Sequence, residues 1–311
     1  MERPAAYDSP TPAQIESDSA AEPQEVSRSW KDYVSITKVG INVANLWTTF
    51  AGLWLAGHGR IDGYTTVVTL AGTALVVGGG AALNNWIDRD IDRVMPRTAK
   101  RPLANGRIPA VQGLLLGSAI SLAGLVLLAV GINGLAALTA FIGWFTYVIV
   151  YTLWLKRTTT LNTVVGGIAG AVPPLIGWAA VRGTLDPSAW ILFSIIFLWQ
   201  PPHFFALAMK RVDDYRAAGI PMLPVVRGFE PTRRQMLGYT VVLWPVSLLL
   251  FWTGAAGWLY LIPAAILGGI YVGMSLWGFR TSEPMKWANG MFRYSLIYLM
   301  AICAAAIVGV E

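Results

Sequence analysis

The chain has 311 residues, of which 55% are hydrophobic and only 13% charged. With a mean hydropathy of +0.54, set against the roughly 25% charged residues usual in soluble domains, an ordinary water-soluble fold is excluded. The single cysteine, Cys303, rules out a disulfide framework or a cysteine metal centre. The net charge of +6 has to explain membrane orientation before it is read as a sign of nucleic acid, and no nucleic-acid partner is expected.

Residues 1–30 are rich in Ala, Pro, Ser, Glu and Asp and poor in large apolar side chains. Such a segment cannot bury enough surface to offset its own ordering, so a disordered cytoplasmic tail is expected there, ahead of a membrane domain over 31–311. No basic stretch followed by an apolar core marks a secretory signal, and the tail is acidic rather than Arg-rich, which points to a bacterial setting. Nine apolar segments of about 20 residues follow, each long enough to cross the hydrocarbon core. They run near 36–57, 65–86, 112–132, 135–155, 163–181, 188–208, 236–255, 258–279 and 289–309. The fold class expected is therefore all-α, a polytopic bundle around a central cavity.

Charge orients the bundle. With the N-terminus inside, the loops after the second, fourth, sixth and eighth helices carry the bulk of the Lys and Arg, while the opposite face holds Arg60 and Arg182. This asymmetry places the N-terminus in the cytoplasm and the C-terminus outside. The two longest and most charged loops, about 87–111 and 209–235, each follow an even-numbered helix, four helices apart. That arrangement hints at a duplicated four-helix unit.

The second helix ends in Asn84-Asn85-Trp86-Ile87-Asp88-Arg89-Asp90-Ile91-Asp92. Asn84, Asp88 and Asp92 recur every four residues, so a continuous helix stacks them on one face. Two carboxylates and an amide oxygen in a stripe are the hard ligands that suit Mg²⁺ when it bridges protein to phosphate. The competing reading is a solvated helix end whose acids pair with Arg89 and Arg93. Because the stripe begins inside an apolar helix, where polar groups are costly and usually functional, the metal reading is favoured. Just downstream, Arg97, Lys100, Arg101 and Arg107 crowd a short loop. Carboxylates beside arginines suit a ligand that is itself anionic and arrives with a metal, such as a diphosphate.

These residues carry a family resemblance. Asn84-x-x-x-Asp88-x-x-x-Asp92, followed by Met95-Pro96-Arg97-Thr98-x-x-Arg101-Pro102-Leu103-x-x-Gly106-x-Ile108, resembles the first signature of the UbiA superfamily of intramembrane prenyltransferases. Two further stretches agree: Tyr151-Thr152-x-x-Leu155-Lys156-Arg157-x-Thr159-x-x-Asn162 with the glycines and prolines that follow, and Trp199-Gln200-x-Pro202-His203-Phe204 leading to Lys210 and Asp213-Asp214-Tyr215. Within the superfamily the chain is most similar to the haem-modifying branch. In the quinone-type members the sixth helix carries a second aspartate-rich motif, whereas here His203 and Lys210 stand at the positions of two of its aspartates.

The resemblance implies farnesyl diphosphate as donor, a vinyl group of haem b as acceptor, Mg²⁺ as cofactor, and haem O as product after water traps a second cation. It implies an enzyme of the bacterial inner membrane, working amid membrane lipid, with a haem-oxidising or terminal-oxidase assembly partner. Asn84, Asp88 and Asp92 would hold the metal. Arg97, Arg101, Lys156, Arg157 and Lys210 would hold the diphosphate, with Asp213 and Asp214 nearby. His203 is open to two readings, a helix-end histidine bonded to backbone or a contact to the acceptor. Tyr151 is open to two as well, a ring facing the developing carbocation or an interfacial anchor. His58, in a polar outer loop, is given no role. The glycine clusters 78–80 and 166–170 read as close-packing surfaces, and Pro173-Pro174 as a kink that opens space for substrate. Two other functions stay in view: the same chemistry on a quinone-precursor ring, and a transporter using Asp88 and Asp92 as a cation site.

Overall fold

The computed structural model describes residues 29–311, so the tail expected at 1–30 lies outside the described residues apart from Ser29 and Trp30. Ser29 is already an N-cap. It accepts from the Lys31 amide, and Asp32 returns to the Ser29 amide at 3.4 Å, which starts the short helix α1 (Trp30–Ile36). The membrane helices follow: α2 (Val39–Ala56), α3 (Gly63–Ile87), then a short α4 (Arg89–Val94), α5 (Ala110–Gly131), α6 (Gly134–Thr158), α7 (Asn162–Arg182) and α8 (Pro187–Lys210). A short α9 (Val212–Ala217) leads to α10 (Phe229–Trp252), α11 (Trp258–Trp277) and α12 (Pro284–Val308).

Among the described residues eight helices are long and apolar enough to cross a membrane; the chain is a multi-pass membrane protein. They coincide with eight of the nine expected spans. The ninth is α2, whose 18 residues include Asn42, Asn45, Thr48 and Thr49 and are correspondingly less apolar. Side chains such as Val130 (84% exposed) and Val67 (66%) stand outward on the spans, a distribution that only a lipid solvent makes favourable.

Small residues set the helix spacing. A Cβ on Gly52 would lie 2.1 Å from the Pro174 carbonyl oxygen, and one on Gly177 would lie 2.1 Å from that of Thr49, so α2 and the outer half of α7 touch backbone to backbone. A Cβ on Gly79 would lie 2.3 Å from Ser121 Oγ and 2.7 Å from the Gly117 carbonyl oxygen of α5. The expected kink is present: α7 breaks at Val172 into Asn162–Ala171 and Pro173–Arg182, as the ring of Pro and its missing N–H dictate. Polar caps close the opposite ends of the bundle. Asp62 accepts from the Thr65 amide at 2.8 Å, Asn133 from Ala136 at 2.8 Å, and Asp186 from Ser188 and Ala189.

One feature has no counterpart in the expectations. Within α6, residues Thr146–Leu155 are π-helical, with Thr152 Oγ1 donating back five residues to the Tyr147 carbonyl at 2.7 Å. Such wide turns cluster at functional sites because they re-aim side chains without ending the helix. Here they stack Tyr147 on Tyr151, centroids 6.0 Å apart and planes 10° apart, and bring Lys156 to the end of α3.

Candidate active site

A cavity of about 270 Å³ sits between α2, α3, α6, α7 and α8, lined among others by Asn45, Gly80, Tyr147, Gly166 and Gln200. One end is charged and the rest of the shaft is apolar, with Val76, Trp144, Val172 and Ile176 on its walls. Asn84, Asp88, Asp92, Arg97, Arg101, Tyr151 and Lys156 all line it.

The metal stripe deviates from the expected geometry in one respect. α3 ends at Ile87 and α4 begins at Arg89, so the three residues straddle a helix break at Asp88. The spacing survives because the Asp88 amide still donates to the Asn84 carbonyl (2.9 Å) and Asp92 to Asp88 (2.8 Å). Asp88 and Asp92 are 0% and 1% exposed. Buried carboxylates need partners, and each has one, Asp88 from 68 residues away and Asp92 from the loop just downstream. Lys156 donates to Asp88 Oδ2, and Arg101 donates to Asp92 Oδ2 at 2.7 Å. Asn84 Nδ2 donates to Asp88 Oδ2 (2.9 Å) and to Thr152 Oγ1 (3.0 Å), while its Oδ1 accepts from Lys38. Every member of the stripe is thus matched by one cation: Lys38, Lys156 or Arg101.

The solvated-end alternative is not what forms. Arg89 donates to the Trp86 carbonyl and Arg93 to that of Ala104, both at 2.6 Å. Neither pairs with the stripe. Arg97 reaches the cavity mouth with no ionic partner among the described residues. Arg107 instead ties the loop to α1 through Asp32 at 3.1 Å.

Five of the expected site residues lie elsewhere. Arg157 turns outward and grips Asp90 through both carboxylate oxygens at 2.7 Å, with a further bond to the Ile87 carbonyl at 3.0 Å. That fork holds the Asp90 carboxyl down at about 2. Asp213 pairs with Arg216 in solvent, and Asp214 lies 3.9 Å from Arg211. On α8 the faces separate cleanly. Gln200, Phe204 and Leu207, at i, i+4 and i+7, look into the cavity. Trp199, His203 and Lys210 look toward α12 instead. The His203 ring lies between Trp199 (4.7 Å) and Phe292 (4.8 Å), with Nδ1 2.7 Å from Ser295 Oγ. The Lys210 ammonium sits 4.3 Å over the Phe292 ring.

Lys38 and Tyr147 line the cavity outside the sequence motifs, and Gln200 and Tyr215 line it from within the third motif, which carries no role for them. Lys38 joins α1 to α2 in a left-handed conformation, φ 51°; its only sequence signal is a cation placed at the start of the first apolar run. Tyr215, next to the aspartate pair, reaches the cavity where the aspartates do not.

The family model described as the UbiA prenyltransferase family matches residues 45–297. The chain belongs to the UbiA prenyltransferase family. Among its relatives, the protoheme IX farnesyltransferase of Alkalihalophilus pseudofirmus is 53% identical over 279 residues, covering 88% of this chain and 88% of the relative. Protoheme IX farnesyltransferase 2 of Bacillus subtilis is 46% identical over 95% of this chain and 98% of its own length. That of Gloeobacter violaceus is 47% identical over 90% of this chain and 92% of its own. The UbiA fold is also seen in solved structures. A digeranylgeranylglyceryl phosphate synthase matches with a TM-score of 0.77 at 20% identity, covering 90% of this chain and 97% of that one. A UbiA homologue from Archaeoglobus fulgidus, bound to DMAPP and Mg²⁺, matches with a TM-score of 0.63 at 15% identity over 88% of this chain and 99% of that one.

Asp88 and Asp92 have the chemistry to fit a hard divalent cation. Asp88 Oδ1 and Asp92 Oδ1 are both buried without a partner among the described residues. Unspent carboxylate oxygens in a buried, cavity-lining position are what a hard cation requires. No cluster of three or more His, Cys, Asp or Glu side chains that could hold a metal occurs among the described residues.

Proposed function

We propose that this UbiA-family prenyltransferase moves a farnesyl group from farnesyl diphosphate to a vinyl group of protohaem IX, with water added, to give haem O. The observation that carries this is the match, along nearly the whole chain, to curated protoheme IX farnesyltransferases at 44–53% identity. The cavity suits it, with a charged end for a diphosphate and an apolar shaft for a prenyl chain.

Asp88 and Asp92 would hold Mg²⁺, joined by Asn84 once Lys38 releases its amide oxygen; when bound the ion supplies Lewis-acid stabilisation of the departing diphosphate. Lys156, Arg101, Arg97 and Lys38 hold the phosphate oxygens and stabilise the charge that builds there as the C1–O bond breaks, its electron pair leaving with diphosphate. Tyr151 and Tyr147 present ring faces toward the allylic cation, while the apolar shaft keeps bulk water from it. The vinyl π electrons form the new C–C bond. The positive charge then lies on the carbon next to the porphyrin, where water adds and a proton leaves. Arg157, through Asp90 and the Ile87 carbonyl, fixes the end of α3 rather than touching phosphate. Lys210, Asp213 and Asp214 frame the loop around Tyr215.

The charged end of the cavity faces the cytoplasm of a bacterial inner membrane in this reading, with the N-terminus on that side and the C-terminus outside. Haem O would pass to a haem-oxidising or oxidase-assembly partner. The test is single turnover of purified protein with haem b, farnesyl diphosphate and Mg²⁺, read by mass spectrometry, with Asp88→Asn as control. A haem product heavier by farnesyl plus water, lost in the variant, supports the reading. Transfer only to an aromatic acid would overturn the acceptor.

A further inference from the structure

The cavity face of α7 carries two glycines one turn apart. A Cβ on Gly166 would meet the Tyr151 ring at 2.6 Å, and one on Gly170 would meet the Gln200 amide at 2.6–2.9 Å. Both glycines line the cavity. α7 packs closely here on α6 and α8, as expected, and its glycines form a ledge on which Tyr151 and Gln200 rest, separated by one helical turn, about 5.4 Å. Since α7 runs away from the charged end, Gln200 is the deeper of the two. It lies one turn beyond Tyr151 along the same cavity.

Gln200 is only 4% exposed, and its orientation is fixed. Nε2 donates to the Gly167 carbonyl at 2.8 Å. A backbone carbonyl can only accept, so the amide cannot flip. Oε1 accepts nothing among the described residues, and Gln200 lines a cavity whose wall also includes the apolar Val172, Pro173, Ile176 and Phe204. An acceptor held rigidly in an apolar wall has room for one kind of partner, a donor that arrives in the cavity.

We propose that Gln200 is the positioning residue for the water that ends the reaction, an inference resting on the haem-farnesylating reading above. Prenylation leaves a carbocation on the carbon attached to the porphyrin. Gln200 Oε1 accepts one O–H of a water and turns its lone pair toward that carbon. The C–O bond forms from the lone pair, and the water proton leaves on the released diphosphate, the strongest base the reaction itself generates. The same cation has a second exit, loss of a proton from the adjacent CH2 to give a conjugated alkene lighter by one water. An amide oxygen is a good hydrogen-bond acceptor but too weak a base to take that carbon-bound proton. A glutamine therefore orients water without promoting elimination, where a carboxylate would promote it.

The experiment compares product ratios for the full-length protein with haem b, farnesyl diphosphate and Mg²⁺ in ¹⁸O-labelled water. Mass spectrometry separates the hydrated product, carrying one ¹⁸O, from the anhydrous one. Wild type is expected to give hydrated product. Gln200→Leu, which loses the acceptor, is expected to shift the ratio toward alkene by roughly tenfold, the upper worth of one hydrogen bond. Gln200→Glu is expected to shift it the same way through its basicity. Gly170→Ala leaves the amide intact but pushes it off its ledge, and it is expected to do likewise. Total prenylated haem reads the acceptor assignment, whereas the ratio reads the role of Gln200. If wild type yields no prenylated haem, the reading of the substrate fails and takes this inference with it. An unchanged ratio in whichever of the three variants folds and transfers farnesyl overturns the role of Gln200 alone.

Discussion

Lys156 and Asp88, 68 residues apart in sequence, meet at the end of the cavity: the ammonium sits on Asp88 Oδ2, while Oδ1 of the same carboxylate is buried without a partner among the described residues. Arg101 and Asp92 repeat the arrangement. Each acid has one oxygen engaged by a protein cation and one free, so a metal arriving alone has to compete with cations already seated. A diphosphate gives those cations somewhere else to go. Metal and diphosphate are therefore expected to bind together. Mn²⁺ titration followed by electron paramagnetic resonance should show weak binding to the free protein and binding tighter by roughly tenfold or more with inorganic diphosphate present, the scale of one charge-assisted bond. Lys156→Gln should tighten Mn²⁺ alone and weaken the diphosphate effect. Equal Mn²⁺ affinity in both proteins would remove the competition.

Asp88→Asn keeps the shape of the stripe but removes its charge. Turnover is expected to fall by about 10²–10³-fold, the scale of losing one electrostatic contact in a preorganised site. Thermal stability should change much less, because the amide oxygen that replaces the carboxylate can still accept from the Lys156 ammonium. Measuring transfer and melting temperature on the same sample separates the two effects. A parallel collapse of both would make Asp88 a structural acid.

Lys38 caps the stripe from the other side, donating to Asn84 Oδ1 and lying 3.4 Å from the Tyr147 hydroxyl. Lys38→Met preserves the stem and deletes the charge. It is expected to raise the KM for farnesyl diphosphate by about tenfold or more, since a buried charge-assisted contact is lost. Lys38→Arg should restore it only partly, because the planar guanidinium needs more width than an ammonium. A normal KM in Lys38→Met would assign the residue to packing.

What sequence could reveal here followed spacing and polarity. Asn84, Asp88 and Asp92 were legible because a four-residue period maps directly onto one helix face, and the nine apolar runs because the bilayer fixes their length. The π-helical stretch in α6 was not legible. Thr146–Leu155 is mostly apolar, its two threonines and two tyrosines being common in membrane helices, and a change from four- to five-residue register leaves no trace in such a run. Lys38 was hidden because its partner is 46 residues away across a tertiary contact. Gln200 and His203 were both visible as polar residues in one span, but a helix buried on most sides gives no signal for which of two adjacent faces meets the cavity. The glycines at 166 and 170 read as packing surfaces, which they are, but a missing Cβ looks the same whether a backbone or a side chain fills the space.

The contact between α2 and α7 carries the cavity wall and offers a test of the fold. Gly177→Ala would put a methyl group 2.1 Å from the Thr49 carbonyl and 2.7 Å from the Leu53 amide nitrogen. Backbone atoms cannot yield as a side-chain tip can, so the helices must part. The cost expected is about 1–3 kcal/mol of stability, read as a lower melting temperature in detergent. Gly183→Ala, at the end of the same helix with open space around it but φ 65°, should cost less, about 1 kcal/mol, through backbone strain alone. A reversed order would show that α2 and α7 are looser than their glycines indicate.

His203 provides the sharpest contrast between sequence position and structural place. Its ring is stacked between Trp199 and Phe292 and bonded to Ser295 of α12, on the face of α8 turned from the cavity. His203→Phe keeps the stack and removes the hydrogen bond, leaving Ser295 still bonded to the Phe292 carbonyl at 2.6 Å. The expected result is a loss of about 1 kcal/mol, seen as a melting temperature lower by a few degrees, with the KM for haem b unaltered. Ser295→Ala should reproduce that change, and the double variant should add little to either, since both single changes remove one bond. A raised haem KM in His203→Phe, absent in Ser295→Ala, would instead mean that the imidazole reaches the acceptor, and that α8 rotates its second face inward when haem binds.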